Sequence, residues 1–211
     1  MDDDKIRRGK PSTHIKFGES TAILAGNSLQ TTACEILTSS KLKISDKIKI
    51  GLIKKLSECS GHLGVAGGQY LDLSYEKRKV SKKKIIEMEI KKTGKLFSFC
   101  CAAPAIIKKK DNQEIKFFEN LGSKIGLLFQ IADDLIDYHG NSKNAGKQTG
   151  KDQKKGKATL ISLMGYTNAV KYCDRLITDT NKALKKYGSK SKNLKDTLEY
   201  ILKRDRWHKI I

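Results

Sequence analysis

The chain has 211 residues, 38% hydrophobic and 7% aromatic, with two prolines and a formal net charge of +20. That length can bury a sizeable core in a single domain, and long stretches of Leu, Ile, Lys, Glu and Ala favour an all-α protein over a β-protein. The 43 basic residues are 37 Lys and only six Arg, spread over almost every segment without an Arg cluster interleaved with aromatics. The charge therefore reads as a solvated lysine surface, and no nucleic acid is expected as partner.

In chain order, "MDDDKIRRGKPSTH" sets Asp2, Asp3 and Asp4 against Arg7 and Arg8. Arginine is the better fork for phosphate oxygens, although "RRGKP" equally suits an ordinary turn. Residues 19–38 are small and largely apolar, suited to close helix packing. Residues 45–59 carry Ile48, Leu52, Ile53 and Leu56 at helical spacing. Residues 62–75 continue as an apolar helix with a Gly-Gly pair. Ser81 caps a further helix that ends near Gly94. Another helix runs to about Lys108, through the apolar "LFSFCCAAPAII" of Leu96 to Ile107. This run is about half of the ~20 residues that a membrane span needs, so no transmembrane segment is expected. It reads as a buried helix, kinked or terminated near Pro104. Residues 111–138 form one long helix. A glycine- and lysine-rich loop covers 139–157, and helices over about 158–187, with a break near Gly165, and over 192–206 close the chain. The five cysteines are odd in number and contain no CxxC pair. A reducing cytoplasm fits them better than a disulfide framework or a zinc site.

The long helix carries the chemistry in "FQIADDLIDY", residues Phe129 to Tyr138. Asp133 and Asp137 lie one turn apart on one face, with Asp134 beside them. Stacked carboxylates repel, and partial burial raises the cost unless a cation compensates. They are hard oxygen ligands suited to Mg²⁺, which takes one or two carboxylates plus substrate phosphates. An exposed acidic edge is the plain alternative. The loop that follows brings Lys147, Lys151, Lys154, Lys155 and Lys157 among Gly146, Gly150 and Gly156. Lysines beside an acidic metal face suit a diphosphate, since cations and Mg²⁺ neutralise the same oxygens.

With these stretches in view, the chain resembles the polyprenyl synthetase family, the trans-prenyltransferases that include farnesyl and geranylgeranyl diphosphate synthases. The resemblance rests on residues 1–29, "GGQYLDL" (67–73), "KTGKLF" (92–97), "GLLFQIADDLIDYHG" (126–140) and "GKQTGKDQKKGKATL" (146–160), in family order and spacing. It implies an all-α bundle of long helices around a central cavity. It also implies head-to-tail condensation of isopentenyl diphosphate with an allylic diphosphate, with Mg²⁺ holding the allylic diphosphate. By the resemblance, Asp133, Asp134 and Asp137 form the second aspartate-rich metal motif, with Asp133 and Asp137 nearest the metal, and Asp2 is the last aspartate of the first. Lys92, Thr93, Gln130 and Lys147 surround the allylic diphosphate or the reacting carbon. Arg7 binds the allylic substrate and Arg8 the isopentenyl one. A homodimer is expected, through the apolar stretch from Thr21 to Leu37.

The resemblance also places two aspartates and further helices ahead of Asp2. Residues 1–211 are thus expected to be one domain corresponding to the C-terminal two-thirds of a synthase, inactive without the preceding segment. A non-catalytic partner subunit that modulates an intact synthase, and a basic helical nucleic-acid binder, stand as alternatives. The last would bind independently of Mg²⁺ or diphosphate.

Overall fold

A computed structural model describes residues 4–139, 150 and 155–206. The chain opens on a small antiparallel hairpin, β1 Ile6–Arg7 and β2 Lys10–Pro11, with Arg7 opposite Lys10. Arg8 and Gly9 turn it at φ of 53° and 72°. Two successive left-handed residues are what a tight two-residue hairpin loop demands. "RRGKP" is therefore the turn of a hairpin, which the helical pattern did not anticipate.

Helices follow in the expected order: α1 Thr13–Phe17, α2 Glu19–Thr38, α3 Asp46–Ser60, α4 Val65–Ser74 and α5 Lys82–Glu89. A π-helical turn, Ile90–Gly94, joins α5 to α6 Lys95–Ile107, and α7 is Asn112–His139. Beyond it lie α8 Leu160–Met164, α9 Tyr166–Leu184, a 3₁₀ segment Lys185–Ser191 and α10 Lys192–Arg206. Local chemistry sets several of these boundaries. Ser81 Oγ accepts the Lys84 amide at the start of α5. Thr159 and Ser162 exchange side-chain and backbone hydrogen bonds in a capping box at the start of α8. The expected break falls at Gly165, whose φ of 80° ends α8.

Pro104 neither stops nor replaces α6, which continues to Ile107. The ring removes the bond that residue 104 would give to the Cys100 carbonyl. Cys100 is itself exposed, and the helix carries on past the missing bond. The helix ends one turn later, where the Pro104 carbonyl accepts the Lys108 amide at 3.0 Å.

The helices stack in a row. α2 packs on α3, α3 on α6, α6 on α7, and α7 on α9 and α10, while α4 and α5 close on the π-turn. The centre of the row is α7. Leu121, Ile125, Leu128, Ala132 and Leu135 recur at helical spacing and are buried, and Leu127 and Ile131 bury a second face. Each such side chain contributes roughly 1.5–3 kcal/mol by leaving water. α7 comes close to the π-turn because two glycines meet there. A Cβ on Gly126 would lie 2.5 Å from the Gly94 Cα.

Two glycine substitutions test this packing in opposite directions. Gly126→Ala should destabilise by about 1–3 kcal/mol through overpacking. Gly51→Ala, inside α3 with nothing within 4 Å of the new methyl, should stabilise by about 0.5–1 kcal/mol. Urea unfolding monitored by circular dichroism measures both. A Gly126→Ala midpoint equal to that of the parent would contradict the close contact.

Candidate functional site

Four segments converge on one polar cluster inside the apolar bundle. α7 brings Gln130, Asp133, Asp134 and Asp137; the π-turn brings Lys92 and Thr93; α4 brings Asp72; and the segment before α8 brings Lys157. The π-turn widens the helix by one residue, a feature that often marks functional sites. Along it, Lys91 pairs with Glu87 at 3.2 Å on the outer side, while Lys92 turns inward.

Two polar chains run through the cluster. In the first, Thr93 Oγ1 donates to Gln130 Oε1 at 2.8 Å, and Gln130 Nε2 donates to Asp134 Oδ1 at 2.8 Å. This orients the Gln130 amide from both ends. In the second, Lys92 Nζ donates to Asp72 Oδ2 at 2.6 Å, and Lys157 Nζ lies 3.6 Å from the same oxygen. Asp72 is 5% exposed, Asp134 6% and Asp137 5%. Asp133 is only half-buried. The carboxylates thus do not form an exposed acidic edge. A cavity of about 370 Å³ opens beside them, lined by Asp134, Asp137 and Tyr138 together with Lys157, Thr159 and Ser162.

The chain after α7 folds back onto this site by two backbone bonds. The Gly150 amide donates to the Asp137 carbonyl at 2.8 Å, and the Lys77 amide donates to the Gly156 carbonyl at 2.8 Å. Gly156 takes a φ of 65°, which suits glycine, and the turn delivers Lys157 to Asp72.

Of the residues expected at the site, Thr93, Gln130 and Asp134 are joined by hydrogen bonds, Lys92 is next to Thr93, and Asp137 lines the cavity with Asp134, whereas the half-buried Asp133 is not among the cavity's lining residues. Asp2 and Lys147 lie outside the described residues, as do Lys151 and Lys154. Arg7 and Arg8 are exposed on the hairpin, and among the described residues neither bonds to the cluster. Two residues were overlooked. Asp72 lies within "GGQYLDL", an acid in an apolar stretch like those of α7. Glu89 follows Ile85 by one helical turn and so falls on the buried stripe of α5.

Glu89 is 1% exposed, and no well-formed hydrogen bond reaches either carboxyl oxygen among the described residues, the Leu160 backbone amide offering only a weak one. Burial pushes its pKa well above the ordinary 4.5, and the charges of Asp134 and Asp72 push the same way. The neutral form of the group is therefore favoured, with the Lys92 charge acting in the opposite direction.

Among the described residues, no three His, Cys, Asp or Glu side chains converge tightly enough to hold a metal alone. What the site offers is hard carboxylate oxygen on one wall, with Asp134 and Asp137 facing the cavity. That fits a divalent cation whose shell is completed by phosphate oxygens.

Comparison with known proteins adds to this geometry. The Polyprenyl synthetase family model matches residues 1–201. Farnesyl diphosphate synthase of Escherichia coli (strain K12) is 36% identical over 211 residues, covering 98% of this chain and 71% of that protein. Farnesyl diphosphate synthase of Micrococcus luteus is 35% identical, covering 98% and 70%. Among solved structures, the Helicobacter pylori geranyltransferase complexed with magnesium and isoprenyl diphosphate superposes with a TM-score of 0.83 at 30% identity. That match covers 96% of this chain and 66% of the other.

The buried acid makes a pH prediction. A carboxyl whose pKa is raised on folding binds a proton in the folded state that the unfolded chain has already lost. Its contribution is intact below the unfolded value and declines as pH rises from about 4.5 toward the folded value. Glu89→Gln should therefore flatten the fall in urea midpoint between pH 5 and 8 while changing little at pH 4.5. A parallel profile in the variant would show that Glu89 ionises freely.

Proposed function

This chain belongs to the polyprenyl synthetase family, and we propose that it is a short-chain prenyl diphosphate synthase. The reaction is Mg²⁺-dependent head-to-tail condensation of isopentenyl diphosphate with an allylic diphosphate, releasing pyrophosphate. The observation that carries this reading is the buried wall on which Asp134 and Asp137 face Lys157 across one cavity, with Lys92 on the adjoining turn. A metal-bound phosphate uses both signs of charge at one place, carboxylates for the cation and lysines for the phosphate oxygens.

In this reading Asp133, Asp134 and Asp137 would hold the cation that the Helicobacter pylori complex contains, Mg²⁺. Bound to this chain, it would supply charge neutralisation for a leaving pyrophosphate. Lys92, Lys147 and Lys157 bind its remaining oxygens. Thr93 and Gln130 present fixed neutral dipoles toward the reacting carbon, stabilising the positive charge that develops as the bond to diphosphate breaks. Gln130 can do this because Thr93 and Asp134 hold its amide at both ends, so no reorientation is needed during reaction. The apolar walls from α6 and α7, including the Phe97 and Phe129 rings with centroids 5.5 Å apart, keep water from that carbon. Arg7 and Arg8 are assigned to the two diphosphates. Residues 1–211 act as one domain.

We assign the chain to the cytoplasm as a homodimer. All five cysteines are free thiols, and no helix among the described residues is long and apolar enough to cross a membrane. The dimer rests on α2, a 20-residue helix with no buried residue, on which Ile23, Leu24, Leu29 and Ile36 are all exposed. A second copy offers a matching apolar face at no cost in buried charge.

Two experiments test the proposal. Calorimetric titration should give pyrophosphate binding that depends on Mg²⁺, weakened about tenfold or more by Asp137→Asn through loss of a charged ligand. Equal binding with and without Mg²⁺ would refute the metal role. Light scattering should give twice the monomer mass, reduced to the monomer by Leu29→Lys. A parent that is monomeric across concentrations would rule out the dimer.

A further inference from the structure

Asp72 belongs to neither the aspartate-rich face of α7 nor the lysine-rich loop, yet it is where the two lysines meet. It is carried by α4, whose approach is set one turn earlier by Gly68. A Cβ on Gly68 would lie 2.1 Å from the Lys92 amide nitrogen, so only glycine lets α4 rest against the backbone of the π-turn. That contact brings Asp72 Oδ2 to 2.6 Å from Lys92 Nζ. Lys157 arrives from the opposite direction, after the Gly156 turn that the Lys77 amide pins to the end of α4. Its Nζ stands 3.6 Å from the same oxygen. The three side chains are 6%, 19% and 11% exposed for Asp72, Lys92 and Lys157.

Lysine is a point charge on a flexible stem with four rotatable bonds. Two ammonium groups brought this close repel each other in a site with little water. A shared acceptor offsets that repulsion. One buried carboxylate oxygen between them holds both in place before any ligand arrives. We infer that Asp72 is a positioning residue that yokes Lys92 and Lys157 into one preorganised pair of cations for a diphosphate.

The inference rests on the proposed diphosphate site and adds a role for a residue outside it. Preorganisation lowers the ordering cost of binding, so loss of the yoke should weaken anion binding although it removes a negative charge. A simple electrostatic view gives the opposite sign, since a carboxylate beside an anion site repels the anion. The direction of the effect therefore separates the two.

The test is calorimetric titration of Mg²⁺ with pyrophosphate into the parent chain, Asp72→Asn, Lys157→Gln and the double variant. Asp72→Asn should weaken binding about tenfold or more, as expected for a lost charge-assisted hydrogen bond. The double variant should bind within about threefold of Asp72→Asn, because residues acting through one contact are not additive. Asp72→Glu should restore part of the affinity. Unchanged or tighter binding by Asp72→Asn, or losses that simply multiply in the double variant, would overturn the inference while leaving the diphosphate site standing. A parent chain that does not bind pyrophosphate with Mg²⁺ would remove both. Should Asp72→Asn fail to fold by circular dichroism, the cycle of Lys92→Gln with Lys157→Gln decides. Non-additive losses support the yoke, and independent ones overturn it.

Discussion

Everything at the site follows from the C-terminal half of α7 being apolar on nearly every face. The first half keeps a wet stripe through Lys116, Asn120 and Lys124, but from Ile125 onward the helix runs at the centre of a row of helices, with Leu128, Ile131, Ala132 and Leu135 fully buried and little wet surface on which to place a charge. Asp134 and Asp137 are carried inside with it. A buried carboxylate is tolerated only when it is paired or hydrogen-bonded. The surroundings answer that requirement: Gln130 of the same helix, itself held by Thr93 of the π-turn, donates to Asp134, and Lys92 and Lys157 neutralise the buried Asp72 of α4 beside it. The polar constellation is thus a consequence of where α7 sits.

Close backbone contact is the second half of the same constraint. Hydrogen bonds of 2.6 and 2.8 Å joining α4, the π-turn and α7 require those three segments to approach within narrow limits. Glycines at 68, 94 and 126 permit it. At the Gly94–Gly126 crossing, α7 meets the π-turn and sets Thr93 opposite Gln130. At Gly68, α4 meets the same turn and sets Asp72 opposite Lys92. A methyl at either crossing would separate the partners of a chain that has no slack.

The long helices were legible in the sequence because their apolar spacing is strong. Residues 19–38 are α2 as expected, and 111–138 are α7 to within a residue at each end. The aspartates of α7 were legible too, since three acids in an apolar run announce burial by their company. Asp72 and Glu89 carried the same signal more faintly, as single acids on apolar stripes, and their meaning depends on segments distant in sequence. The hairpin at Ile6–Pro11 was hidden because two-residue strands leave no period to detect. The π-turn was hidden because its sequence reads as ordinary helix, and only the inward aim of Lys92 beside the outward Lys91 gives it away. The net charge of +20 read as a solvated lysine surface. The structure sets two of those lysines, Lys92 and Lys157, on the buried Asp72.

The central claim is that the acidic wall of α7 takes a divalent cation only together with a diphosphate. Electron paramagnetic resonance with Mn²⁺ in place of Mg²⁺ tests it most directly, because the free aqueous ion gives a strong six-line signal that fades on binding. With protein alone the signal should persist. On adding pyrophosphate it should fall well below that of the same mixture without protein, and Asp137→Asn should restore it. Loss of the signal with protein alone, or no difference between parent and Asp137→Asn in the presence of pyrophosphate, would contradict the account.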